Sequence, residues 1–259
     1  MVRRTFKGTI EYTAECREIC LAEPIIFSVQ HLSVERVCLE SKEADIISLK
    51  FFIINEESLE KARDIAEHFL DRILNKIAFS FNAYVGIPRF SSGIIVEEII
   101  AEDGTKSITV HPSPTTIGIS THGFFKTTPP AHRITDLLND LPYEDDLLAH
   151  YYSQYRFVLL NTDPIAVFMA FYNILLDILG DQKGVDIFIR HHEPAVQEFP
   201  DRRYGKQTLY TKLRNDIAHA KKDRPLKQVS EEIKTILSKF KMLVRKAIEQ
   251  EQHKHDKGN

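Results

Sequence analysis

The chain has 259 residues, of which 43% are hydrophobic and 27% are charged, the usual balance of a folded globular protein. This composition excludes disorder along the whole length, and three cysteines are too few for a disulfide scaffold. No apolar run reaches the roughly 18 residues of a membrane span, and no apolar stretch follows the basic N-terminus as in a signal peptide. We therefore expect a cytoplasmic protein with no membrane partner.

The net charge of −3 conceals an uneven distribution along the chain. Residues 201–259 contain 16 Lys and Arg against 8 Asp and Glu, a net charge of +8, whereas residues 1–200 carry a net charge of −11. A basic end on an acidic body favours a polyanionic partner such as RNA. The alternative reading is a long solvated helix that is rich in lysine.

The first part of the chain shows the period of β-strands. Apolar and polar residues alternate over residues 4–14, which predicts a half-buried strand. Further strands are expected at 24–31, 33–40 and 45–54. The last of these is apolar on both faces, so we expect it inside the sheet rather than at an edge.

A helix and three more strand candidates complete the front half. Apolar residues recur every three or four positions between Leu59 and Ile77, which predicts a long amphipathic helix over 57–80. Strand candidates follow at 83–90, 93–100 and 106–119, with turn signals at Ser91-Ser92-Gly93 and Asp103-Gly104. We predict for residues 1–120 an α+β domain with a regulatory or recruiting role, in which an antiparallel sheet packs on one long helix. A proline-rich linker over 121–144 follows.

The back half is helical by its pattern. The segment 161–164, Asn-Thr-Asp-Pro, indicates a helix start with Thr162 or Asp163 as N-cap. The helix predicted over 164–179 is apolar nearly all round, so a bundle core and a second subunit can each cover one face. Helices are also expected at 207–220 and 227–251, with a short one at 184–192. Four principal helices in residues 145–259 predict a four-helix bundle.

One motif in this half resembles a known family. The segment Leu213-Arg214-Asn215-Asp216-Ile217-Ala218-His219 resembles the signature of the HEPN superfamily, an arginine followed by a polar residue and, a few residues on, a histidine. The resemblance implies a HEPN-like four-helix bundle with the motif near the start of the penultimate helix. It also implies a metal-independent, cofactor-free endoribonuclease that acts as a homodimer and leaves 2′,3′-cyclic phosphate ends. The resemblance implies that the substrate is RNA, for example tRNA. It also implies a role in a toxin or phage-defence system, with an antitoxin or operon partner.

The residue types suit this chemistry. A histidine such as His219 transfers protons near neutral pH, and the planar guanidinium of Arg214 fits phosphate oxygens. On a helix Asn215 shares a face with His219, so it can orient the imidazole, bind a phosphate, or merely join a hydrogen-bond network between helices. Six basic residues are expected to bind RNA around this motif: Arg202, Arg203, Lys206, Lys212, Lys221 and Lys222.

Other readings stay open. A second match, Arg63 to His68, falls on a helix face with Asp64, Glu67 and Asp71, which we interpret as a solvated, ion-paired surface. Cys16, Cys20 and Cys38 lack an obvious fourth ligand for zinc, so we predict no metal site. The alternative function is a non-catalytic RNA- or protein-binding module that dimerises through its helices.

Overall fold

The structure is a computed structural model that describes residues 3–43, 45–113, 128–139, 146–201, 205–219 and 225–258. Its fold is α+β, with a six-stranded antiparallel sheet and helices, which confirms the predicted class. The contacts between residues divide the chain into two compact units, Met1–Arg156 and Phe157–Asn259.

The first unit is built on the sheet. Its elements are β1 (Arg3–Glu15), β2 (Ile25–Phe27), β3 (Val34–Glu43), β4 (Ile46–Ile54), α1 (Leu59–Phe81), β5 (Arg89–Ile100), β6 (Lys106–Pro112), α2 (Ala131–Asn139) and most of α3 (Asp146–Leu159). The strand order is β2-β3-β4-β1-β5-β6. As predicted, β4 lies inside the sheet, between β3 and β1.

One face of the sheet packs on α1. Ile10 and Tyr12 of β1 are buried together with Ala66 and Ile73 of α1, so the alternation over residues 4–14 and the helical period after Leu59 point into one core. Ser58 is the N-cap of α1, and Asn82 ends the helix in a left-handed conformation with φ of 52°.

The opposite face of the sheet is polar around Glu11. The hydroxyl of Ser48 donates to its Oε1 at 2.8 Å, and the ammonium groups of Lys42 and Lys50 lie at 3.3 and 3.9 Å from its carboxylate oxygens. Burial acts to raise the pKa of Glu11, but the hydrogen bond from Ser48 and the two lysine charges outweigh it and lower the pKa. The folded state therefore favours the ionised carboxylate.

We expect Glu11→Gln to lower the free energy of unfolding by about 1 kcal/mol at pH 7, a figure discounted for partial exposure. Because the folded pKa is depressed, the contribution is complete above the unfolded pKa and is lost as the pH falls through the folded one. The stabilities of the wild type and Glu11→Gln should thus converge as the pH falls through the lowered pKa of Glu11. Urea unfolding over a series of pH values from neutral to acid measures this, and a gap that stays constant with pH contradicts it.

Strand β5 and the residues before it differ from the prediction. We expected two strands separated by a turn at Ser91-Ser92-Gly93, but β5 runs through these residues as one strand. Phe90 and Ser92 face Tyr12 and Glu11, so Ser91 is the extra residue of a β-bulge. Of the expected strand at 83–90, Val85 forms only an isolated bridge with Cys16, and Arg89 and Phe90 begin β5. The turn at Asp103-Gly104 forms as predicted.

The second unit is mainly helical. Its elements are α4 (Pro164–Leu179), α5 (Gln182–His192), β7 (Glu198–Asp201), β8 (Gly205–Thr208), α6 (Leu209–Ala218) and α7 (Leu226–Gly258). Asp163 is the N-cap of α4, accepting the backbone N–H of Ile165 at 2.8 Å, with Pro164 in the first turn, as predicted. The hairpin of β7 and β8 is unexpected, because its short polar strands carry no alternating apolar pattern.

The chain divides at a different place from the predicted boundary. We placed a linker at 121–144 and a helical domain from 145, whereas residues 146–156 belong to the first unit. Within that unit Tyr155 donates to Asn82 at 2.7 Å, and Ile134 and Leu138 of α2 join the sheet core. A HEPN-like bundle over 145–259 stays a prediction.

None of the described helices is both long and apolar enough to cross a bilayer by itself. Helices α4 and α5 reach that length and composition only as a pair bent by 100°.

Candidate functional site

A buried polar network fixes the start of α6, the helix that carries the motif. The Oδ1 atom of Asp186 on α5 accepts the backbone N–H of Thr208 at 2.9 Å and the hydroxyl of Thr211 at 2.7 Å. The hydroxyls of Thr211 and Tyr172 of α4 share a hydrogen bond of 2.8 Å. Burial raises the pKa of the Tyr172 phenol. The network joins α4, α5 and α6, so it fixes the position and orientation of α6 against the other two helices.

The apolar side of α6 packs on α7. Tyr210 stacks on Phe240 with 4.8 Å between ring centroids, and Leu213 is fully buried. The Tyr210 hydroxyl donates to Glu193 at 2.6 Å, and burial together with this bond raises its pKa. Because this side of α6 faces inward, Arg214 and Asn215 are half-buried, whereas Ala218 and His219 are exposed.

Arg214 is held by neutral partners. Its Nη1 donates to Oδ1 of Asn215 at 3.1 Å, and Nδ2 of Asn215 donates to Oε1 of Gln207 at 3.0 Å. The guanidinium carbon lies 5.9 Å from the centre of the Tyr172 ring. Among the described residues, Nε of Arg214 has no acceptor although it is enclosed, and no carboxylate pairs with the side chain. The cation is oriented but not neutralised.

His219 stands just beyond the helix. It is the C-cap of α6, and its backbone N–H donates to the carbonyl of Asn215 at 3.0 Å. Within the described part of the chain, its ring makes no hydrogen bond to Arg214 or Asn215. The motif thus lies at the end of the penultimate helix, not near its start as the resemblance implied, because α6 is only ten residues long.

The basic residues near the motif are partly neutralised. Lys206 pairs with Glu198 at 2.9 Å, and Lys212 pairs with Asp216 at 2.8 Å while lying over the ring of Phe199. Lys212 and Asp216 are four residues apart on α6, the spacing at which two side chains share a helix face. Four of the residues expected to bind RNA lie outside the described residues: Arg202, Arg203, Lys221 and Lys222.

Comparisons with protein families, curated proteins and solved structures find no match to this chain. The likeness to the HEPN superfamily therefore rests on its residues alone.

This arrangement can bind an anion and transfer a proton. Among the described residues the Arg214 guanidinium has no carboxylate partner, so a phosphate can serve as its counter-ion, and His219 is exposed to solvent five residues further on. Sequence reasoning missed Tyr172, Gln207 and Asp186, which support Arg214 and α6 from other elements; no local pattern marks them. The described residues hold no group of three His, Cys, Asp or Glu side chains arranged for a metal ion.

Proposed function

We propose that the second unit is a metal-independent endoribonuclease of the HEPN type. The observation that supports it is Arg214: a half-buried guanidinium oriented by Asn215 and Tyr172, with no carboxylate partner among the described residues. Leaving such a charge without a counter-ion is costly, and a phosphate supplies one. The protein acts on RNA in the cytoplasm, in a toxin or phage-defence setting.

The reaction needs no water and no metal. One base removes the proton of the 2′-hydroxyl, the 2′-oxygen attacks phosphorus, and an acid gives a proton to the departing 5′-oxygen. The products are a 2′,3′-cyclic phosphate and a 5′-hydroxyl. His219 performs one proton transfer, the His219 of a second copy performs the other, and Arg214 stabilises the charge on the phosphorane.

A homodimer is part of this proposal because each chain has one such histidine. Helix α4 keeps apolar side chains only half-buried, among them Ile165, Met169 and Leu176, and Ile187 of α5 is exposed. A second copy can cover these residues. Sedimentation velocity at micromolar concentration distinguishes dimer from monomer.

One observation favours the alternative of a binding module without catalysis. Among the described residues the His219 imidazole makes no hydrogen bond to the Arg214 guanidinium, and Lys206 and Lys212 already have carboxylate partners. Such a module binds RNA or protein and dimerises through its helices. It predicts RNA binding that weakens with salt and no cleavage.

The test is an RNA cleavage assay in EDTA. Wild type and the double variant Arg214→Ala/His219→Ala are incubated with total tRNA and with a structured RNA. We expect cleavage by the wild type only, with cyclic phosphate at the new 3′-ends. Salt-dependent RNA binding without cleavage by either protein supports the binding module, and equal cleavage by both contradicts the proposed site.

A further inference from the structure

A groove of about 530 Å³ lies on the first unit, away from the motif on α6. It runs along α1 beside the turn between β2 and β3, and we call it the histidine groove. The residues that matter in it are His31, Asp64, Ile65, His68, Phe69 and Arg72. Its volume is within the range of pockets that bind small metabolites, and it is lined by apolar side chains together with a few polar ones.

The polar groups follow one line along the helix. Asp64, His68 and Arg72 are spaced by four residues on α1, so they share a face and span about 12 Å along its axis. One end of the groove is therefore acidic and the other basic. Arg72 pairs with Asp146 at 3.8 Å, and because that carboxylate is fully exposed this ion pair contributes little.

His31 completes the groove from the opposite side. Its Nδ1 accepts the backbone N–H of Ser33 at 3.1 Å, so the neutral ring carries its proton on Nε2 as a donor. Backbone hydrogen bonds of His31 to Val29 and Val34 hold this turn. The rings of His31 and His68 lie edge-on to Phe69, with centroids 5.8 and 5.1 Å from it.

We propose that the histidine groove binds a nucleoside 5′-monophosphate with an exocyclic amino group, adenosine monophosphate being the simplest. The phosphate lies at the basic end, on His31, His68 and Arg72. The base packs on Ile65 and Phe69, and its amino group donates to Asp64. An aromatic amino acid fits less well, because its two charges are too close together to reach both ends. The proposal does not rest on the nuclease, since every residue belongs to the first unit.

Calorimetric titration of the full chain with adenosine monophosphate tests this. We expect saturable binding that His68→Ala weakens about tenfold, because one charge-assisted bond is lost. His132 is an exposed histidine of α2 outside the groove, so His132→Ala should bind as the wild type does. No binding at millimolar ligand, or equal loss in both variants, overturns the proposal.

Two ligand comparisons test the orientation. Purine riboside 5′-monophosphate, which lacks the amino group, should bind several-fold more weakly to the wild type, and Asp64→Ala should abolish that preference. Inorganic phosphate should bind at least tenfold more weakly than the nucleotide. If phosphate binds equally well, the base contributes nothing to the binding free energy, and this contradicts the assignment of a nucleotide as the ligand.

Discussion

Replacing His219 by alanine is expected to slow RNA cleavage by about 10²- to 10⁴-fold, the usual contribution of one general acid or base. The imidazole lies exposed at the end of α6 and is not part of the buried network. We therefore expect the free energy of unfolding to change by less than about 0.5 kcal/mol. Single-turnover cleavage and urea unfolding of the same preparation measure the two effects.

The matched control is His191→Ala. His191 is an exposed histidine at the end of α5, in the same unit, and it belongs to no predicted catalytic set. Its replacement should leave the cleavage rate within about twofold of the wild type, as for a surface change away from the site. Retained activity in His219→Ala, or equal loss in His191→Ala, contradicts the assignment of His219.

Replacing Arg156 by methionine is expected to lower the free energy of unfolding by about 3 kcal/mol. Its side chain is 7% exposed and donates to the carbonyls of Val85 and Gly86 at 3.0 and 2.6 Å and to Oδ1 of Asn75 at 3.1 Å. Burial lowers the pKa of Arg156, although an arginine stays charged. Methionine keeps the apolar stem but leaves these three acceptors without a donor.

Asp71→Asn separates the buried bonds of Arg156 from its ion pair. Asp71 lies 3.1 Å from Nη1 of Arg156, but its carboxylate is 69% exposed. An exposed partner contributes little, so we expect a loss of about 0.5 kcal/mol or less. Chemical denaturation of both variants provides the comparison. If Asp71→Asn costs as much as Arg156→Met, the ion pair and not the carbonyl bonds stabilises this region.

The predictions that the structure confirms depend on near neighbours in sequence. Alternation predicted β1, the helical period predicted α1, and Asp163 before Pro164 predicted the start of α4. These features are local, because side-chain direction repeats with the backbone and a cap binds an N–H two residues away.

The remaining features depend on partners far along the chain, which periodicity does not encode. Ser91 is a bulge and not a turn because Tyr12 and Glu11 of β1 fix its register. Residues 146–156 belong to the first unit, where Arg156 donates to the carbonyls of Val85 and Gly86 in the loop after α1.

The candidate sites divide in the same way. The residue types and spacing of Arg214, Asn215 and His219 are readable in the sequence, and so is the chemistry that they permit. The neutral surroundings of Arg214 are not readable there, because Tyr172 and Gln207 belong to other elements. The placement of His31 and His68 in one groove is not readable either, because His31 lies in the turn before β3. Local order follows from neighbouring residues, whereas the partner of each charge is decided only when distant segments pack together.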